Sequence, residues 1–498
     1  MKRTLHLAST FLAITGFAGV AAAQTAGPLA TKYKPTADKL IAASLADPEG
    51  YANLQYLCDH IGKRVSGSES LLTAIAWAQD LMKKDGFANV HTQAATVPHW
   101  VRGDESGEII APVTKKLHFL GLGMSVGTPP AGITAEVVVV PDFAAMKKLG
   151  KAGIAGKIVV LNAPYEGYGR TVMYRTAGPS QAAALGAVGV LVRAVTPLAM
   201  QLPHTGTTGY DEAQPKIPAA AISLEDAMML DRLQAEGKPV RVHMQMQAHM
   251  EAPQVAANVM GDIVGSEHPE QIVVIGGHID SWDVGQGAQD DGSGIMATYA
   301  ALREIQKLGL KPKRTIRICF WVNEENGGAG GKAYRAALSE AELKNHVAAI
   351  EMDGGAEPPV GFGYGAALGG GRRRTAPGGV APAGPPPGLS AAEEHSLALL
   401  RDIGTLLTPV LTTMAGRTDA ITPGGGGSDI SPLMADGVPG LGEMTTGAHY
   451  FDWHHTEADT LDKVDPTEFR KNVASLAVMT YILADMPEIL TGHKGAGE

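Results

Sequence analysis

The stretch between residues 255 and 355 constrains this chain most, because apolar runs and amphipathic runs alternate there. Ile272-Val273-Val274-Ile275 is unbroken, apolar and β-branched, as a strand buried on both faces requires. Helical spacing follows over 294–308 (Ile295, Met296, Tyr299, Leu302, Ile305), then a strand over 315–322, a helix over 331–338 and a strand over 347–352. This alternation predicts an α/β fold, with a mostly parallel mixed sheet covered by helices on both faces. In such sheets ligands bind beyond the carboxyl ends of the strands. The first strand runs into His278-Ile279-Asp280, the second into Asn323-Glu324-Glu325 and the third into Asp353. Three runs thus deliver His, Glu and Asp to one rim.

Two further segments add donors. Asp290-Asp291-Gly292-Ser293 precedes a helix; Asp291 or Ser293 suits its N-cap, and Asp290 is a loop carboxylate. Trp453-His454-His455-Thr456 supplies a second imidazole. Two imidazoles and three carboxylates suit a pair of zinc ions, each with nitrogen and oxygen ligands and an open position. The same donors accept cobalt or manganese. Two metals about 3.5–4 Å apart share a bridging hydroxide and a bridging carboxylate, and polarise a carbonyl from both sides. Adjacent residues at a strand end point to opposite sides. Of Glu324 and Glu325, one therefore reaches a metal while the other faces substrate as a proton shuttle. The residues alone do not say which.

Bulk properties narrow the function classes. The 498 residues allow two or three domains. With 41 basic and 51 acidic side chains the formal charge is -10, which argues against a nucleic-acid binder needing a basic face. Lys2 and Arg3, the apolar stretch 5–20 and Ala21-Ala22-Ala23 read as a signal peptide over 1–23. That stretch is short of the about 20 residues a spanning helix needs. The expectation is a periplasmic or secreted protein without stable membrane insertion. Two cysteines, Cys58 and Cys319, make no disulfide framework, and Cys319 lies in an apolar strand run.

Residues 24–130 read as an N-terminal part of the catalytic domain, with a helix over 70–84. From 131 to 250 short β-rich runs take over (135–140, 157–161, 189–192), with an Ala-rich helix around 181–185. This segment reads as a small domain inserted ahead of the main domain at 251–498, which closes with a helix over 468–486. Residues 356–389 are rich in Gly, Pro and Arg (Arg372-Arg373-Arg374, then 375–388) and read as a loop after Asp353, either an unstructured insertion or one overhanging the cleft. Gly424 to Gly427 is not a phosphate loop, since no Lys-Ser/Thr follows and no strand is expected before it; it reads as a flexible turn near the site. His204 reads as a hydrogen-bonded structural histidine.

His278-Ile279-Asp280, Asp290-Asp291-Gly292, Glu324-Glu325, Asp353 and His455-Thr456-X-X-Asp459-Thr460 together resemble the motif series of the co-catalytic zinc aminopeptidase and glutamate carboxypeptidase family. The run 277–288, Pro203-His204-Thr205-Gly206 and Pro98-His99-Trp100 extend the likeness, which covers about 50–487. The resemblance implies that His278 and Asp353 hold one zinc, that Glu325 and His455 hold the other, and that Asp290 bridges them. It makes Glu324 the general base and acid. Asp280 joins it on the catalytic side, fixing the tautomer and orientation of His278. It further implies that the inserted segment is a protease-associated domain, that the chain forms homodimers, and that it hydrolyses a terminal residue from short peptides or dipeptides. Two readings stand against it: a non-catalytic receptor or scaffold on this fold, and a single-zinc acyltransferase like glutaminyl cyclase. The presence of all five ligands and Glu324 opposes the first, and Asp290 opposes the second.

Overall fold

The computed structural model describes residues 26–365, 389–415, 417 and 419–492. The signal segment, the triple arginine and the 375–388 loop lie outside the described residues.

The apolar run around Ile275 lies in the strand His268–His278. It is parallel to Arg314–Trp321 on one side and to His346–Glu351 on the other, and Gly440–Thr445 continues the parallel set. Antiparallel strands Ala88–Val101 and His249–Ile263 extend one edge. Pro359–Tyr364 and Ile421–Pro423 extend the other. The expected mixed, largely parallel sheet is thus present, and period two sorts its side chains. Val273 and Ile275 face a core with Ser293–Lys307, Pro466–Asp485 and Pro28–Ala46. Val274, Cys319 and Trp321 face Tyr334, Ile430, Leu433 and Met434 on the opposite side. Cys58 and Cys319 are both free and buried.

A second sheet holds four parallel strands, Ile133–Val140, Ile158–Leu161, Gly189–Arg193 and Ala219–Ile222. The helices Phe143–Ile154 and Met173–Ala184 lie between them in the chain, and Leu224–Ala235 follows the last of them. Its outer strands come partly from Glu105–Ala111, Lys115–Lys116 and Phe119–Gly121, ahead of the expected start at 131. Those strands are short, and Glu105-Ser106-Gly107-Glu108 offers no apolar run to reveal them. The chain leaves and re-enters the first sheet side by side. Val101 pairs with His249 in the first sheet, and Glu105 pairs with Met246 in the second.

Two loop expectations change. Within 356–389, Pro359–Tyr364 is a buried strand, paired antiparallel to Gly440–Thr445. Its partner strand supplies the hydrogen bonds that a Pro- and Gly-rich composition conceals. Before Gly424, Ile421–Pro423 is also a strand, so the turn does follow one. A Cβ at Gly427 would lie 2.0 Å from Glu351 Cδ, so glycine there lets the turn close over the Glu351 carboxylate.

Candidate metal centre

The strand His268–His278 ends on His278, whose side chain is fully buried. Its main-chain N–H donates to Asp291 Oδ2 at 3.0 Å. Asp291 Oδ1 accepts from Gly294 at 3.1 Å, which makes Asp291 a cap for the following helix. A Cβ at Gly277 would lie 2.1 Å from Asp291 Oδ2, so only glycine leaves room for this brace. Nδ1 of His278 meets the main-chain carbonyl of Asp280 at 2.9 Å. Nε2 is thereby turned toward Asp290 Oδ1 at 3.2 Å and Asp353 Oδ1 at 3.5 Å.

Asp280 acts on His278 through its main chain. Its carboxylate lies 3.8 Å from Nδ1 of His278, and the carbonyl, not the carboxylate, holds the ring. The carboxylate is occupied by the N–H groups of Glu324 and Glu325, at 3.1 and 3.3 Å, and by the Ser66 hydroxyl at 3.3 Å. The strand before this pair stops at Trp321, and Asn323 has φ 69°, a left-handed conformation uncommon outside glycine. Glu324 and Glu325 therefore sit on a turn, where strand alternation does not apply. They still separate: Glu325 is buried and Glu324 half-buried.

Asp290 stands between two imidazoles. Its Oδ2 lies 3.1 Å from His455 Nε2, while Oδ1 faces His278. Asp459 fixes this loop by accepting from the N–H groups of Gln289 and Asp290, at 2.7 and 3.2 Å. His455 Nε2 also meets Glu325 Oε2 at 3.1 Å. All five expected ligand side chains, with Glu324 and Asp280, thus converge. The reading of the residues gave no role to His454, whose Nε2 lies 3.3 Å from Asp290 Oδ2 and whose ring stacks on His455 at 3.5 Å. Its place in the His-His pair was the available signal. Arg64 was also missed. Buried, it donates to the carbonyls of Ile279, Gln286 and Gly287 and so pins the loop between His278 and Asp290.

The electrostatics are those of packed opposite charges. Burial works against a charged His455, yet Glu325 and Asp290 overcome it and lift the imidazole to about 10. His278 is likewise raised, against burial, by Asp290 and Asp353. Asp290 is held well below the carboxylate range because His278 and His455 outweigh its burial. Burial and Asp290 push Glu325 up to about 7. Burial lifts Asp353 to about 6, with His278 opposing. Glu351, two residues back, rises to about 8 through burial and Asp353.

The donors fit a metal. His278 Nε2, Asp290 Oδ2 and Glu325 Oε1 are buried and make no well-aligned hydrogen bond. Ligand atoms of His278, Asp290 and Glu325 lie within 4.8 Å of one another, as do those of Asp290, His454 and His455, and those of His278, Asp291 and Asp353. Nitrogen and oxygen donors at such spacing suit zinc. His204 is buried beside the cluster, next to the main chain of His454. Its ring nitrogens are buried without a good hydrogen bond, and burial first, then the nearby His455, push it down to about 3.

Comparison with known proteins identifies a family. Residues 258–480 match the model of peptidase family M28. Carboxypeptidase Q of Xenopus laevis is 38% identical over 464 residues, covering 92% of each chain. Carboxypeptidase Q of Homo sapiens is 37% identical, covering 89% of this chain and 87% of its own. Among solved structures, a peptidase M28 precursor from Shewanella amazonensis SB2B superposes with TM-score 0.82 at 31% identity, covering 92% of this chain and 98% of its own. A zinc aminopeptidase from Bacillus subtilis shares the fold with TM-score 0.63 at 17% identity, covering 88% and 95%. The identity and coverage of these relatives, with the family match over the segment that carries the cluster, place this chain among the metallo-exopeptidases of peptidase family M28.

Proposed function

We propose that the protein removes a terminal residue from short peptides or dipeptides, with two zinc ions held by His278, Asp290, Glu325, Asp353 and His455. One observation carries this reading: the two oxygens of Asp290 face two different imidazoles, at 3.2 and 3.1 Å, as a carboxylate shared between two ions would. His278 and Asp353 would complete one site, and Glu325 and His455 the other. Zinc ions so held supply Lewis acidity toward the scissile carbonyl and acidify water.

The remaining chemistry belongs to the chain's own groups. Glu324 is half-buried beside the cluster, and its charge bears on Asp353 and Asp280. We assign it the proton of the attacking water, which it then passes to the leaving amine. Asp280 is a positioning residue: its carbonyl sets the His278 tautomer and its carboxylate holds the 324–325 turn. The second sheet is read as an inserted unit of the protease-associated type, and the chain as an exported protein able to form homodimers. No described helix is long and apolar enough to cross a membrane.

Carboxypeptidase-type action is the preferred form, because the relatives bearing that name share sequence along most of the chain, whereas the aminopeptidase likeness cited above is one of fold. A panel of dipeptides, N-acetylated peptides and C-amidated peptides, assayed with zinc-loaded protein, tests this. C-amidation should abolish turnover and N-acetylation should spare it. The reverse pattern would make the enzyme an aminopeptidase, and no hydrolysis at all would remove the exopeptidase reading.

A further inference from the structure

The two halves of the cluster are not supported alike. His278 is braced from its own sheet and loop, by the Asp280 main-chain carbonyl and the Asp291 carboxylate. Glu325 and His455 are braced from the second sheet's segment, across long stretches of chain. The N–H of Thr205 donates to the His455 carbonyl at 3.0 Å, and the carbonyl of Thr205 faces His455 Nδ1 at 3.2 Å. One residue thus grips both the main chain and the ring of His455. The Thr207 hydroxyl donates to the Glu325 carbonyl at 2.6 Å.

Behind this contact lies Arg175, on the helix Met173–Ala184. It is buried, donates from Nη1 to the Thr205 carbonyl at 2.9 Å, and comes within 3.4 Å of His455 Nδ1. Its Nη2 donates to the Tyr168 hydroxyl at 2.8 Å, and its own carbonyl accepts from the Thr208 hydroxyl. His455 needs such support, since it holds φ 63°, a left-handed conformation that is strained in a residue with a Cβ. Trp282, from the loop after His278, is buried in the second sheet's core and lies 5.6 Å from the His455 ring.

We propose that the inserted unit is a working part of the metal centre, in which Thr205, Thr207 and Arg175 hold Glu325 and His455 in binding geometry, so that this half takes its ion only with the unit seated. With Nδ1–H committed to the Thr205 carbonyl, Nε2 keeps its lone pair for a metal. Seating of the unit and filling of this half are then one linked equilibrium, and zinc stabilises the seated arrangement by mass action. The inference rests on the two-zinc reading above. The roles of Thr205, Thr207 and Arg175 are positioning roles, since none is placed on substrate.

The test is a zinc titration of the metal-depleted full-length protein against a competing chelator, with metal analysis of the product. Wild type should fill in two steps. Thr207→Val should weaken one step by about 10–100-fold, the usual effect of losing a partner behind a ligand, and leave the other within about twofold. Thr207→Ser, which keeps the hydroxyl, should restore it. In a His278→Ala background, where only the Glu325–His455 half remains, Thr207→Val should weaken the single remaining step. Arg175→Lys provides a second variant with the same expected selectivity. Two steps in wild type, unchanged by Thr207→Val and by Arg175→Lys, would overturn the inference and leave the two-zinc reading intact. Fewer than two ions in wild type would overturn both.

Discussion

The His278–Asp353 half of the cluster and the Glu325–His455 half meet at Asp290, yet they are built in opposite ways. The first grows from consecutive parallel strands: His278 ends one, and Asp353 follows the neighbouring His346–Glu351 by two residues. The second is assembled from a turn at Glu325, a left-handed residue at His455 and a clasp from Thr205 and Thr207. Strand ends are set by the core and move little when a loop does. A half made of loops depends on whatever holds the loops. One half is therefore a property of the sheet, and the other a property of how two parts of the chain meet.

Three changes probe this contrast, from the largest effect to the smallest. Glu324→Gln removes a group that belongs to neither half. It should leave both zinc ions in place, as metal analysis would show, and lower kcat by about 10²–10⁴-fold. Wild-type turnover in that variant would end its role as proton carrier. Asp280→Asn spares the carbonyl on His278 and disturbs the carboxylate that holds Glu324 and Glu325. Its effect should fall on one half: about 10–100-fold weaker zinc binding at the Glu325 site, with the His278 site steady. Equal loss at both sites would erase the distinction.

The smallest effect concerns the metal-free protein. His455 is raised in the fold from 6.5 to about 10, so its stabilising contribution is complete below pH 6.5 and is lost as pH rises toward 10. Glu325, raised from 4.5 to about 7, also binds its proton more tightly folded than unfolded, and its share is lost between those values. The melting temperature of the metal-free chain should therefore fall by several degrees as pH rises from 6.5 to 9. Zinc competes with these protons, so the gap between loaded and metal-free protein should widen over the same range. A metal-free melting temperature that rises with pH there would contradict the packing of charges described for the empty cluster.

The same contrast explains what could be read in the residues. Ile272-Val273-Val274-Ile275 announces a buried strand because nothing polar interrupts it, and His278 follows from where that strand must end. Asp290 and Asp291 were legible as a loop before a helix, and the structure adds that Asp291 reaches back to hold His278. Pro359–Tyr364 was hidden because its pairing with Gly440–Thr445, not its composition, makes it a strand. Arg175 and Thr205 were hidden for a related reason. Their contacts with His455 span 280 and 250 residues, and no local period reports a contact of that range. Asp280 shows the limit most clearly, since its type and position were foreseen while the division of labour between its carbonyl and its carboxylate was not.

The central claim is that Asp290 joins two half-sites, each holding an ion. Zinc content per chain, measured on fully active protein after exhaustive removal of loosely held metal, tests it most directly. Two zinc ions per chain are expected, with activity returning only as the second is filled. One tightly held zinc per chain with full activity would contradict it.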